Sequence, residues 1–113
     1  MAIKNLSKKI IVVEKYRICK DLFSKSLGLM FSKRREDFAL VLAFDEEKKI
    51  SLHMFFVFYP IDVLFLDENK RVVEMKKNFR PFAIYNSVKR AKYVVELACG
   101  IIDKTKINDK IEF

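Results

Sequence analysis

At 113 residues the chain fits one domain and leaves no room for two ordinary ones. With 51% hydrophobic residues and eleven Phe it is too apolar for a disordered chain, and its 34% charged residues keep it well solvated. A net charge of +8 points either to an anionic partner (nucleic acid, a phosphorylated ligand or an acidic membrane surface) or to a solvated face, because the cations run along the whole chain.

Met1 to Lys9 is polar and reads as a flexible or peripheral N-terminal segment. Ile10 to Ile18 begins apolar and then alternates, which predicts a strand; its apolar start is too short for a signal-peptide core. Asp21 suits a helix N-cap, Leu22, Phe23, Ser26 and Leu27 share one face, and Gly28 suits the left-handed stop. Ser32 to Asp37 reads as a loop and Phe38 to Phe44 as a strand, followed by a charged turn over Asp45 to Lys49. Ser51 to Tyr59 follows as a strand with Leu52, Met54, Phe56 and Phe58 on one face. Pro60 lacks a ladder donor, so the strand must end, bend or lie on an edge there.

Ile61 to Leu66 resumes as a strand, Asp67 to Lys70 as a tight turn with Asn69 able to take positive φ, and Arg71 to Lys76 as the hairpin partner. Asn78 to Lys92 shows neither period. Tyr93 to Leu97 is a strand, Gly100 opens a short helix over Ile101 to Thr105, and Lys110 to Phe113 forms a last strand. These elements predict a single α+β domain over residues 1–113, dominated by a curved, mostly antiparallel, barrel-like sheet with one or two short helices. The apolar stretch Leu52 to Leu66 holds His53, Pro60 and Asp62 and falls short of the ~20 residues of a membrane helix, so a cytoplasmic protein without integral membrane association is expected. Cys19 and Cys99, far apart in a reducing compartment, read as packing residues. A Lys-rich composition without Gln is the kind that heat-adapted proteins show.

Several of these pieces, in this order, resemble the family known as Domain of Unknown Function 192. The marks are Gly28-Leu29-Met30, the Phe38 to Phe44 strand, Pro60-Ile61-Asp62-Val63-Leu64-Phe65-Leu66-Asp67, and Val72-Val73-Glu74 after a turn. Tyr93-Val94-Val95-Glu96-Leu97 leading to Gly100, and an Asp109 turn into the final strand, complete the set from about Val13 onward. The resemblance implies a small mixed α/β fold built on a curved sheet and no established reaction, so it carries over no functional residue. Where family members show Trp-Met-Lys-Asn-Thr, this chain has His53-Met54-Phe55-Phe56-Val57, and their Gly-Asp near the end is Asn108-Asp109 here. The polar group that would suit a family binding site has become apolar.

Asp62 is an acid inside an apolar strand, expensive unless bonded or paired. It reads either as a catalytic or ligand-contacting acid, or as an acceptor for backbone amides at the break beside Pro60, with the second favoured. His53, the chain's one His, is a candidate proton-transfer partner for Asp62 or Ser51, set against an ordinary half-buried strand residue. One His provides no cluster for a metal, and with Gly28 and Gly100 the only glycines, nucleotide-binding loops are excluded; no cofactor is implied. Phe79, Arg80, Phe82, Tyr85, Lys89, Arg90 and Lys92 interleave aromatics with cations, as a stacking-plus-phosphate surface does. The same aromatics would also pin a long loop to the core. The leading expectation is a non-enzymatic binding module for an anionic partner, nucleic acid or a phosphorylated ligand. A small hydrolase using Asp62 and His53 and a protein–protein adaptor are the alternatives; the oligomeric state is not legible.

Overall fold

The computed structural model describes residues 2–20, 37–53 and 59–113. Runs of β-branched and aromatic residues become strands wherever they find a partner. In chain order these are β1 (Ile3–Asn5), β2 (Ile10–Val13), β3 (Lys15–Cys19), β4 (Phe38–Lys48), β5 (Ser51–His53), β6 (Ile61–Leu66), β7 (Val72–Phe79), β8 (Ile84–Asn86), β9 (Ala91–Ala98) and β10 (Ile111–Glu112). Five form the central sheet in the order β3-β4-β9-β6-β7, with β3 parallel to β4 and the other neighbours antiparallel. Two smaller sheets accompany it, β10-β1-β2 and β5-β8.

Alternation divides the central strands between two cores. Val63 and Phe65 of β6, Leu40 and Leu42 of β4 and Val94 of β9 pack with Leu52 and Tyr85 from the β5-β8 pair. Leu64 and Leu66, Val41, and Val95 and Leu97 pack instead with Ile3, Val12, Val13 and Ile111 from the three-stranded ribbon. The central sheet therefore has the two-stranded β5-β8 sheet over one face and a ribbon of both chain ends over the other.

The described residues are all strand and turn, which corrects the α+β expectation. Nor does the sheet close into a barrel, since β3 and β7 lie at opposite ends of the strand order. The expected helix over Ile101 to Thr105 is a run of turns, with the Thr105 N–H bonding the Ile102 carbonyl at 2.9 Å. So short a helix gains little from its own hydrogen bonds, and burial of Ile102 and Thr105 sets the path instead. The expected helix from Asp21 to Gly28 lies outside the described residues, as do residues 54–58 of the expected Ser51 to Tyr59 strand.

Smaller departures come mostly from tertiary pairing and, in one turn, from a local side-chain bond. The Ile10 to Ile18 run breaks into β2 and β3 at Glu14, each joining a different sheet. In the β6–β7 turn the left-handed residue is Lys70 (φ 62°), not Asn69. Asp67 Oδ1 accepts the N–H groups of Asn69 (2.9 Å) and Arg71 (3.0 Å), which moves the turn one residue on. The Asn78 to Lys92 region contains the end of β7, all of β8 and the start of β9. Residues 3–5 pair with both β2 and β10, and Ile3 and Asn5 are fully buried.

Candidate functional site

Asp62 stands between Ile61 and Val63, whose side chains join the core under the β5-β8 pair, so its own carboxylate points to the other face. It is 2% exposed, and its two oxygens accept backbone N–H groups from Asn78 (2.8 Å) and Gly100 (2.9 Å). Both donors have positive φ, 53° at Asn78 and 93° at Gly100. Asp62 thus ties an irregularity of β7 to the turn after β9. Ser51 and His53 stand in β5, opposite Asn86 and Ile84, and the Ser51 hydroxyl bonds Asn86 Oδ1 at 2.6 Å. Neither partner of Asp62 comes from that strand.

The segment after β7 is fastened from beneath. Glu74 accepts the Tyr85 hydroxyl, the Val88 N–H at 2.9 Å and the Lys89 N–H at 2.8 Å. Its bond to Glu74, burial and the Glu74 charge together push the Tyr85 phenol up to about 12. Ser87 Oγ accepts the Ile50 N–H at 2.8 Å and donates to the Lys89 carbonyl at 2.9 Å. Phe79 is buried, with its ring centroid 6.2 Å from that of Tyr85. These two aromatics hold the segment down, while Phe82 is 55% exposed. Arg80, Lys89 and Arg90 are exposed. Lys92 is not brought to them: its ammonium lies 5.8 Å from the ring centroid of Tyr93, which packs toward the terminal ribbon.

Glu96, in the middle strand β9, was missed by sequence reasoning. It pairs with Leu40 and Val63, so it faces the core under the β5-β8 pair. Every fully buried side-chain nitrogen or oxygen of the described residues has a hydrogen-bond partner. Glu96, 9% exposed, has no bond or ion pair among the described residues, so its carboxyl keeps a trace of contact with water. Burial pushes it up to about 7, where it changes charge near neutrality. The signal that singled out Asp62, an acid inside a β-branched strand, was equally present in Tyr93-Val94-Val95-Glu96.

Asp109 gave no such signal. Its carboxylate, 5% exposed, accepts Asn5 Nδ2, Lys8 Nζ and the Lys106 N–H, each at 2.9 Å. Burial works against its charge, but the bonds from Asn5, Lys8 and Lys106 outweigh it and hold the carboxyl below the usual carboxylate range. Among the described residues no group of three or more His, Cys, Asp or Glu is placed to hold a metal ion, and no helix is long and apolar enough to cross a membrane.

The profile of Domain of Unknown Function 192 (DUF192), described as "Uncharacterized ACR", matches residues 3–113. The chain belongs to this family. It is 35% identical over 113 residues to the UPF0127 protein PH1112 of Pyrococcus horikoshii, covering 98% of this chain and 97% of that one. A UPF0127 protein of Thermococcus sibiricus is 34% identical over 113 residues, covering 96% and 72%. These DUF192 relatives come from thermophilic archaea, in keeping with the Lys-rich, Gln-free composition. A crystal structure of a protein of unknown function from Novosphingobium aromaticivorans has a TM-score of 0.84 at 17% identity, covering 99% of this chain and 82% of that one. A second, from Sinorhizobium meliloti, has a TM-score of 0.80 at 24% identity, covering 86% and 79%. Both share the fold.

Proposed function

We propose that this DUF192 protein is a non-enzymatic binding module for an anionic, phosphate-bearing partner, engaged through residues 80–90. The observation that carries the reading is the charge of this region. Between Glu74 and Glu96 the chain holds Lys76, Lys77, Arg80, Lys89, Arg90 and Lys92 and no acid at all. Glu74, the nearest carboxylate in the chain, is buried beneath the segment and occupied by Tyr85, Val88 and Lys89, which leaves the outer side positive. Fastening from below also lowers the ordering cost of presenting Arg80, Lys89 and Arg90 to a ligand. Asp62, with both oxygens on backbone amides, lends no support to a hydrolytic reading.

Elution from a phosphate-bearing cation exchanger tests this against diffuse surface charge. Arg80→Ala/Arg90→Ala is compared with Lys104→Ala/Lys106→Ala, which removes the same charge from exposed positions elsewhere. The arginine pair is expected to elute at clearly lower salt than the lysine pair. Equal elution of the two variants means that net charge alone governs binding, and the reading fails.

A further inference from the structure

Residues 82–88 alternate strictly. Ala83, Tyr85 and Ser87 turn inward, and Phe82, Ile84, Asn86 and Val88 turn out. Phe82, Ile84 and Val88 are 55%, 62% and 71% exposed, and no other seven-residue stretch of the described chain carries three exposed large apolar side chains. Ile84 lies in β8, Phe82 in the turn before it and Val88 in the bend after it, so the three stand close together along the chain and form one outward stripe. Phe82 sits at the tip of a turn closed by the Ala83 N–H on the Arg80 carbonyl at 3.2 Å, with φ of 63°. Exposed cations bracket the stripe, Arg80 before it and Lys89 and Arg90 after it.

Single apolar side chains at a surface mean little, but a stripe with a cationic rim selects its partner. A nucleic-acid strand would use π faces, and of the three aromatics in this segment only Phe82 is exposed; Ile84 and Val88 have none to offer. An acidic bilayer surface uses both kinds of group at once. Its phosphates meet the cations, and the boundary of its acyl chains takes up aliphatic and aromatic side chains alike.

We propose that the outer side of residues 80–90 docks on an anionic lipid bilayer, with Phe82, Ile84 and Val88 entering the interface and Arg80, Lys89 and Arg90 on the headgroup phosphates. The proposal rests on the anionic-partner reading above and names the class of that partner. The protein lies on the surface and does not span it.

Co-sedimentation of the full chain with vesicles of equal parts phosphatidylglycerol and phosphatidylcholine, against phosphatidylcholine alone, provides the test. Binding to the anionic vesicles only is expected. Ile84→Asn/Val88→Asn changes no charge and no core side chain, and it should lower partitioning at least tenfold while leaving elution from the phosphate exchanger unmoved. The chain has no Trp, so Val88→Trp adds a clean reporter whose emission should shift to the blue on anionic vesicles. Unchanged partitioning of the Asn variant, or an unshifted Trp, overturns the bilayer assignment. Binding to a short single-stranded oligonucleotide but not to vesicles overturns it in favour of nucleic acid. If nothing binds and the arginine and lysine pairs elute together, the anionic-partner reading falls with it; elution that separates them keeps that reading whatever the vesicles do.

Discussion

The terminal ribbon β10-β1-β2 and the β5-β8 pair each cover one face of the central sheet, and each hangs from a buried carboxylate. Asp109 holds the ribbon through Asn5, Lys8 and Lys106, and Asn5 also bonds Thr105 Oγ1 at 3.1 Å. Glu74 holds β8 and the bend after it through Tyr85, Val88 and Lys89. Beneath the ribbon every buried acid is paired, including Asp62. Beneath the β5-β8 pair Glu96 has no partner among the described residues, and on its outer side Phe82, Ile84 and Val88 are exposed. Both covers expose apolar side chains, Leu6 and Ile11 at the ribbon and Phe82, Ile84 and Val88 in and around β8, so what separates them among the described residues is the Glu96 carboxyl without a bond. A buried carboxyl without a bond costs stability, so the two faces differ in what burial costs them.

The largest effect should come from Asp109→Ala. It leaves the Lys106 amide and the Asn5 and Lys8 side chains short of a partner, at a cost of about 3–4 kcal/mol in urea unfolding. Because the Asp109 carboxyl is held low, the folded state releases a proton that the unfolded chain keeps as pH falls. The gap between wild type and variant should therefore shrink as the pH drops through and below the ordinary carboxylate range. A loss under about 1 kcal/mol would remove Asp109 as the ribbon's anchor.

Glu96 reverses that sign. Its carboxyl lies near 7 when folded against an ordinary 4.5, so between those values the folded state keeps a proton that the unfolded chain gives up. Stability from this group is full below the lower value and is lost as pH rises through the upper one. Relative to Glu96→Gln, the wild type should lose on the order of 2–3 kcal/mol between mildly acidic and mildly alkaline pH. Parallel pH profiles for the two proteins would mean that Glu96 has a partner at neutral pH, and the contrast between the faces would weaken.

Glu74→Ala should have a smaller and more local effect, about 1–2 kcal/mol globally, with faster amide exchange at Val88 and Lys89. The Tyr85 phenol should fall from about 12 toward its ordinary 10.0, read by titration of its ring resonances. Unchanged exchange at both amides would show that Ser87 and the aromatic packing suffice to hold β8 and the bend after it.

Strands with their own alternation and turn chemistry were legible in the sequence, as β6, β9 and most of β4 show, and Pro60 stands directly before β6. Helical expectations fared worse. Ile101 to Thr105 has a glycine start and an apolar face, but its fate was decided by what Ile102 packs against. Of the candidate site, the cations and Phe82 were legible as an interleaved pattern, and the same pattern hid the division of labour that buries Phe79 and turns Tyr85 inward. The outward period-two stripe from Phe82 to Val88 was present in the residues, but Ala83, Asn86 and Ser87 made both of its faces look mixed. Asn5 and Asp109, 104 positions apart, had no local signal to give.

Strand β7 is outermost in the central sheet, and its pairing with β6 slips in register twice, near Val73 and near Asn78. The exposed Lys77 adds a charge to the same strand. A surface that gathers bound copies into two dimensions raises their local concentration, the condition under which open sheet edges polymerise into fibrils. A twice-interrupted, charged strand is a poor template for such growth. Copies crowded side by side would therefore stay separate molecules, free to leave as they arrived.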